Sequence, residues 1–136
     1  MRSVYLFGLA SYLLLAVSPE LPAQHFQAGV GRADITPSGP IWMAGFAGRS
    51  KPSQGVDRRL FLKALALQDQ DKPPFVLVTA DILGFPAKLA EDIAARVQRE
   101  LHVPRENFML VASHTHTGPV IAERHVYLYG LADKEA

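Results

Sequence analysis

Hydrophobic and polar positions along the chain form short apolar runs and one helical stripe, and their order predicts an α/β fold. Residues 28–35 (Ala-Gly-Val-Gly-Arg-Ala-Asp-Ile) read as a first strand stopped by Thr36-Pro37, with two glycines that permit a bulge or a close backbone approach. Residues 60–67 alternate with apolar side chains on both sides, the pattern of an interior strand. A polar turn over 68–74 leads into a buried strand over 75–81. Leu89, Ile93, Val97 and Leu101 then recur every four residues, with Glu91, Asp92, Arg96 and Arg99 opposite, which predicts a helix over 86–102. Pro86 suits its first turn, and Pro104 disfavours helical geometry at Val103. The next strand is expected over 107–113, and residues 120–136 show no clear period.

Strand, helix and strand over 75–113 make a βαβ unit, so the two strands are expected to be parallel, with a right-handed crossover. The expected fold is α/β, with a mixed sheet. Parallel strands finish at one edge, where open α/β sheets bind their ligands. That edge is predicted to bring Asp81 beside His114 and His116. Side chains alternate along a strand, so a strand ending in His-x-His presents both imidazoles on one face, about 7 Å apart along the backbone. Gly118 and Pro119 then turn the chain away. Neutral imidazole is a good zinc ligand, so the pair reads as the start of a metal site. Bound zinc lowers the pKa of its water to about 7 and polarises the carbonyl under attack, which points to metal-assisted hydrolysis.

Composition narrows the chemistry further. With 136 residues, 49% hydrophobic and 20% charged, the chain supports at most one small domain after a leader. A formal net charge of +1 gives no electrostatic case for nucleic acid. Cysteine is absent, which excludes disulfides, thiolate ligands and a Cys nucleophile. Arg2, the apolar stretch 4–17 and the break at Ser18-Pro19 predict a signal peptide over 1–23, with 24–136 working in a secreted or periplasmic setting. An uncleaved anchor is the other reading, although the stretch is short against the roughly 20 residues of a membrane span.

Several residues carry two readings. Asp81 either caps the turn toward Gly84 or holds a metal ligand in place through a hydrogen bond. Asp34 is a turn former or a site residue. Arg32, Arg58 and Arg59 form a solvated basic face or clamp an anion. His102 suits a helix C-terminus, whereas His25 and His125 lie near the ends. The loop over 38–55, with Trp42, Met43 and Phe46, reads as a binding loop or lid. There is no Gly-rich phosphate loop, no Gly-x-Ser-x-Gly elbow and no His-Glu-x-x-His.

Taken in order, Gly31-Arg32-Ala33-Asp34-Ile35-Thr36-Pro37, Met43-Ala44-Gly45-Phe46, Leu60-Phe61-Leu62-Lys63-Ala64-Leu65, Val78-Thr79-Ala80-Asp81 and Ser113-His114-Thr115-His116-Thr117-Gly118-Pro119 resemble the start of the neutral/alkaline non-lysosomal ceramidases. The resemblance implies a zinc-dependent amidase that cleaves the N-acyl bond of ceramide-like lipids; peripheral membrane contact is a further expectation. It maps the zinc ligand onto His114, the residue that stabilises the tetrahedral intermediate onto His116, and a substrate-lining position onto Gly45. It also implies that residues 24–136 are the incomplete N-terminal portion of a larger domain and inactive alone, with a further His, a Glu and a Tyr ligand beyond residue 136, in a C-terminal part of the same protein. Where the family often carries His after Gly55-Val56, this chain has Asp57.

Two other classes stay open at the level of the sequence. One is a His-x-His metallo-hydrolase of another lineage, but a β-lactamase-like block wants Asp at position 118, and amidohydrolases place the motif after their first strand. The other is a non-catalytic exported lipid or surface-interaction module built on the 42–46 loop.

Overall fold

The computed structural model describes residues 26–122. Strands β1 (Phe26–Asp34), β2 (Phe61–Asp69) and β3 (Phe75–Ala80) precede helix α1 (Ala87–Leu101), and a 3-10 turn at Arg105–Asn107 leads into β4 (Phe108–Ala112). The strands lie side by side in sequence order. β1 pairs antiparallel with β2 and β2 with β3, whereas β3 and β4 run parallel around α1. The sheet is therefore mixed, with the expected βαβ unit. β2 is interior, as its two apolar faces require.

The even-numbered positions of β2, β3 and β4 face the helix. Val78 and Phe108 pack with Ala94 of α1 and with Val103, and Leu62, Ala64, Val76, Ile93, Val97 and Leu110 surround them. The opposite face carries Leu65, Leu77 and Met109 with Val30 of β1 paired to Leu65, and no described element covers it: Val30 is 87% and Met109 50% exposed.

Several expected details are corrected. The register of β1 on β2 is unbroken from Phe26 to Asp34, so Gly29 and Gly31 make no bulge, and a Cβ at either would meet nothing within 4 Å. Pro86 is extended (ψ 141°) and stands at the N-cap, ahead of the first helical turn. His102 ends the helix in the left-handed conformation (φ 55°), which swings Val103 into the core at 2% exposure. Leu89 and Leu101 are exposed. Each four-residue step overshoots a turn by roughly 40°, so a strict i+4 stripe winds off the buried face at its ends, and Ala94 takes the centre. Asn107 belongs to the 3-10 turn, its N–H donating to Pro104 O at 2.9 Å, and Ser113 lies past the end of β4. No described helix is long and apolar enough to cross a membrane. The leader expected over 1–23, together with His25 and His125, lies outside the described residues.

Candidate functional site

Parallel pairing sets Ala80 opposite Ala112, so β3 and β4 end at one edge. The segments that leave them stay together. Ser113 N–H donates to Ala80 O (3.0 Å) and Thr115 N–H to Ile82 O (3.2 Å), which lays the His-Thr-His block along the exit of β3. Gly118 is buried there, and a Cβ on it would lie 3.1 Å from Asp81 O. Asp81, His114 and His116 thus share one rim, as the topology predicted.

The two imidazoles converge by a different route from the one expected. His114 is not part of the strand: it takes the left-handed conformation at φ 58°. A non-glycine residue at positive φ is uncommon and turns the chain sharply. The turn replaces strand alternation and brings the rings to a centroid separation of 5.3 Å at 59°. His114 is exposed and His116 half-buried.

His116 is enclosed by the loop between β1 and β2. A bridge joins Met43 to Pro119, Ala44 N–H donates to Gly118 O and Val120 N–H donates to Trp42 O, both at 2.9 Å. This loop is docked rather than free to act as a lid. Docking sets Gly45 against His116: its φ is +104°, and a Cβ there would fall 2.3 Å from His116 Cγ. The imidazole fills the space any other side chain would need. The Phe46 ring meets His116 edge-on at 4.9 Å. Arg49 lies 5.1 Å from the Phe46 centroid and donates from Nη2 to His116 O at 2.7 Å.

The other candidates have local partners. Asp81 is half-buried; its Oδ2 accepts from Phe61 N–H (2.9 Å), and its own N–H donates to Phe61 O (3.0 Å), a clasp between the end of β3 and the start of β2. Asp34 is a turn former. Its Oδ1 accepts from Thr36 N–H at 2.9 Å and its Oδ2 from Arg59, while Leu60 N–H donates to Thr36 Oγ1 at 2.8 Å. These contacts close the neck of the loop that carries Gly45. Hydrogen bonds from Thr36, side chain before amide, and then from Arg59 hold the Asp34 carboxyl at about 2. The three arginines do not form an anion clamp: Arg59 pairs with Asp34, Arg58 lies beside Asp57, and Arg32 sits over the Phe61 ring. His102 remains at the helix end, away from the rim.

Among the described residues, no three His, Cys, Asp or Glu side chains gather closely enough to hold a metal ion. Two imidazoles in contact fit part of a zinc donor set, which takes three or four protein groups. A cleft of about 330 Å³, lined by Thr36, Ile41, Ser53 and Leu60 among others, reaches the rim through Met43 and Thr117.

The family model for neutral/alkaline non-lysosomal ceramidase, N-terminal, matches residues 26–134, nearly all of the chain beyond its first residues. The chain belongs to that family. Neutral ceramidase of Drosophila pseudoobscura pseudoobscura is 30% identical over 104 residues, covering 73% of this chain and 14% of the relative. That of Drosophila melanogaster is 28% identical over 114 residues, covering 80% and 16%. That of Pseudomonas aeruginosa is 27% identical over 124 residues, covering 87% and 18%. The chain thus spans less than a fifth of the length of these curated relatives. Within this ceramidase-family segment, sequence reasoning missed Phe46 and Arg49 as neighbours of His116. Loop residues have no periodicity to betray them, and only the adjacency of Phe46 to Gly45 hinted at a role.

Proposed function

We propose that this chain supplies the His-x-His rim of a secreted, zinc-dependent amidase that acts on ceramide-like lipids. The reading is carried by the contact of His114 with His116 at the carboxyl edge of the sheet, in a chain of the ceramidase family. When bound, zinc would supply an activated water and polarise the acyl carbonyl. His114, exposed at the rim, is the proposed metal ligand. His116, fixed by Gly45 and Phe46, donates a ring N–H to the oxygen of the acyl carbonyl as that oxygen gains charge. Water adds to the carbonyl carbon, the C–N bond breaks, and the amine leaves with a proton as the acyl group becomes a carboxylate. Gly45 serves the substrate side of the site through the imidazole packed on it. Asp81 steadies the rim by clasping β2 to β3, and its second oxygen is available to hold a ligand in place. Since zinc takes three or four protein donors, the remaining ligands are proposed to come from polypeptide outside residues 26–122, and residues 24–136 alone to be inactive.

The test is release of fatty acid from an N-acyl sphingoid amide by the full natural chain, loaded with zinc and then stripped by a chelator. Release that stops on stripping and resumes with zinc is expected. A zinc-loaded protein that releases no fatty acid from such amides would overturn the proposal.

A further inference from the structure

Arg49 is drawn partly out of solvent at an energetic cost. It is half-buried, its Nε lies buried without a hydrogen-bond partner among the described residues, and no carboxylate there pairs with it. Removing a guanidinium N–H from water without a partner is costly, so whatever keeps it there must offset that cost. Two contacts do so. Nη2 donates to His116 O at 2.7 Å, a charge-assisted bond, and the guanidinium carbon lies 5.1 Å from the centre of the Phe46 ring. The turn that brings it back is local, with Arg49 N–H donating to Phe46 O at 3.3 Å.

One contact ends on His116 and the other on its neighbour Phe46. The carbonyl that Arg49 holds belongs to His116, and the ring it covers is the one whose edge meets the His116 imidazole at 4.9 Å. Gly45 closes the imidazole from another side, since the ring occupies its Cβ position. We infer that Arg49 is a positioning residue: it fixes His116 by its main chain directly and by its imidazole through Phe46. The inference rests on the hydrolase reading only for its kinetic consequence; the geometric claim stands apart from it. The guanidinium's planar shape matters, because an ammonium can reach a carbonyl but cannot cover a ring while doing so.

The test uses the full natural chain with ¹³Cε1-labelled histidine, as wild type, Arg49→Lys, Arg49→Ala and Phe46→Leu. Arg49→Ala is expected to move and broaden the His116 ring resonance while that of His102, at the distant helix end, stays in place. Arg49→Lys restores part of the shift, and Phe46→Leu reproduces the loss with Arg49 present. In amide hydrolysis, kcat falls roughly 10- to 100-fold in Arg49→Ala with KM little changed, as expected for a misplaced group beside the reacting atoms. If Arg49→Ala does not fold, Arg49→Lys and Phe46→Leu carry the same readouts. A His116 resonance indifferent to residues 46 and 49 overturns the inference. A resonance that responds in a protein with no hydrolytic activity upholds the positioning and removes the hydrolase reading.

Discussion

Gly45 and His116 occupy one another's space: a Cβ on Gly45 would stand 2.3 Å from His116 Cγ, on a backbone already at φ +104°. Steric clash and left-handed strain add at this position, so Gly45→Ala is expected to cost about 1–3 kcal/mol of stability. Because the ring must move about an ångström or more to make room, hydrolysis should fall roughly 100-fold or further. Urea denaturation and turnover of the same preparation check both. An alanine variant with wild-type turnover would mean that the packing of His116 is irrelevant to the chemistry.

Asp81 separates a structural from a catalytic role through one substitution pair. Its Oδ2 accepts from Phe61 N–H, so Asp81→Ala leaves a donor at the start of β2 unpaired and should cost roughly 1–3 kcal/mol. Asparagine keeps a carbonyl acceptor there, and Asp81→Asn should be close to wild type in thermal unfolding. If the carboxylate also steadies a zinc ligand, Asp81→Asn will bind zinc about 10- to 100-fold more weakly despite its intact fold. Zinc affinity equal to wild type would confine Asp81 to its clasp with Phe61.

Asp34 gives the fold a dependence on acid. Its carboxyl is lowered from 3.8 to about 2, first by the Thr36 side chain, then by the Thr36 amide and Arg59. A carboxyl lowered by folding adds stability that is fully present above its unfolded value and is lost as pH falls through its folded one. The contribution should therefore be constant above about pH 4 and disappear toward pH 2. Denaturation midpoints of wild type and Asp34→Asn, measured between those limits, should converge as pH falls. A gap between them as wide at pH 2 as at neutral pH would show that the carboxylate's charge is not what closes the neck of the Gly45 loop.

The sheet and its edge were legible because their causes are periodic. Alternation across 60–67 foretold the interior β2, and the strand–helix–strand order foretold that Asp81 would share a rim with His114 and His116. The details that escaped depend on backbone signs and on docking, which no pattern encodes. The left-handed turn at His114, a conformation uncommon outside glycine, replaced the alternation expected to align the two rings. The pairing of 42–44 with 118–120 joins segments more than seventy residues apart through main-chain bonds, and this docking carries Phe46 and Arg49 to His116. Gly29 and Gly31 show the opposite error: glycine permits a bulge, but the unbroken register of β1 leaves no room for one.

The two imidazoles, alike in sequence, differ in setting, and that difference predicts distinct losses. His114 is exposed at the rim, whereas His116 is half-buried against Gly45 and Phe46. If His114 donates to zinc and His116 to the reacting carbonyl, His114→Ala should weaken zinc binding and abolish turnover together. His116→Ala should leave zinc bound and lower kcat about 10²- to 10³-fold, the usual cost of deleting one donor to a developing oxyanion. Metal content after gel filtration, read beside steady-state kinetics, separates the two outcomes. If His116→Ala lost its zinc as readily as His114→Ala, both rings would have to be ligands, and the donor to the acyl oxygen would have to be sought elsewhere in the protein.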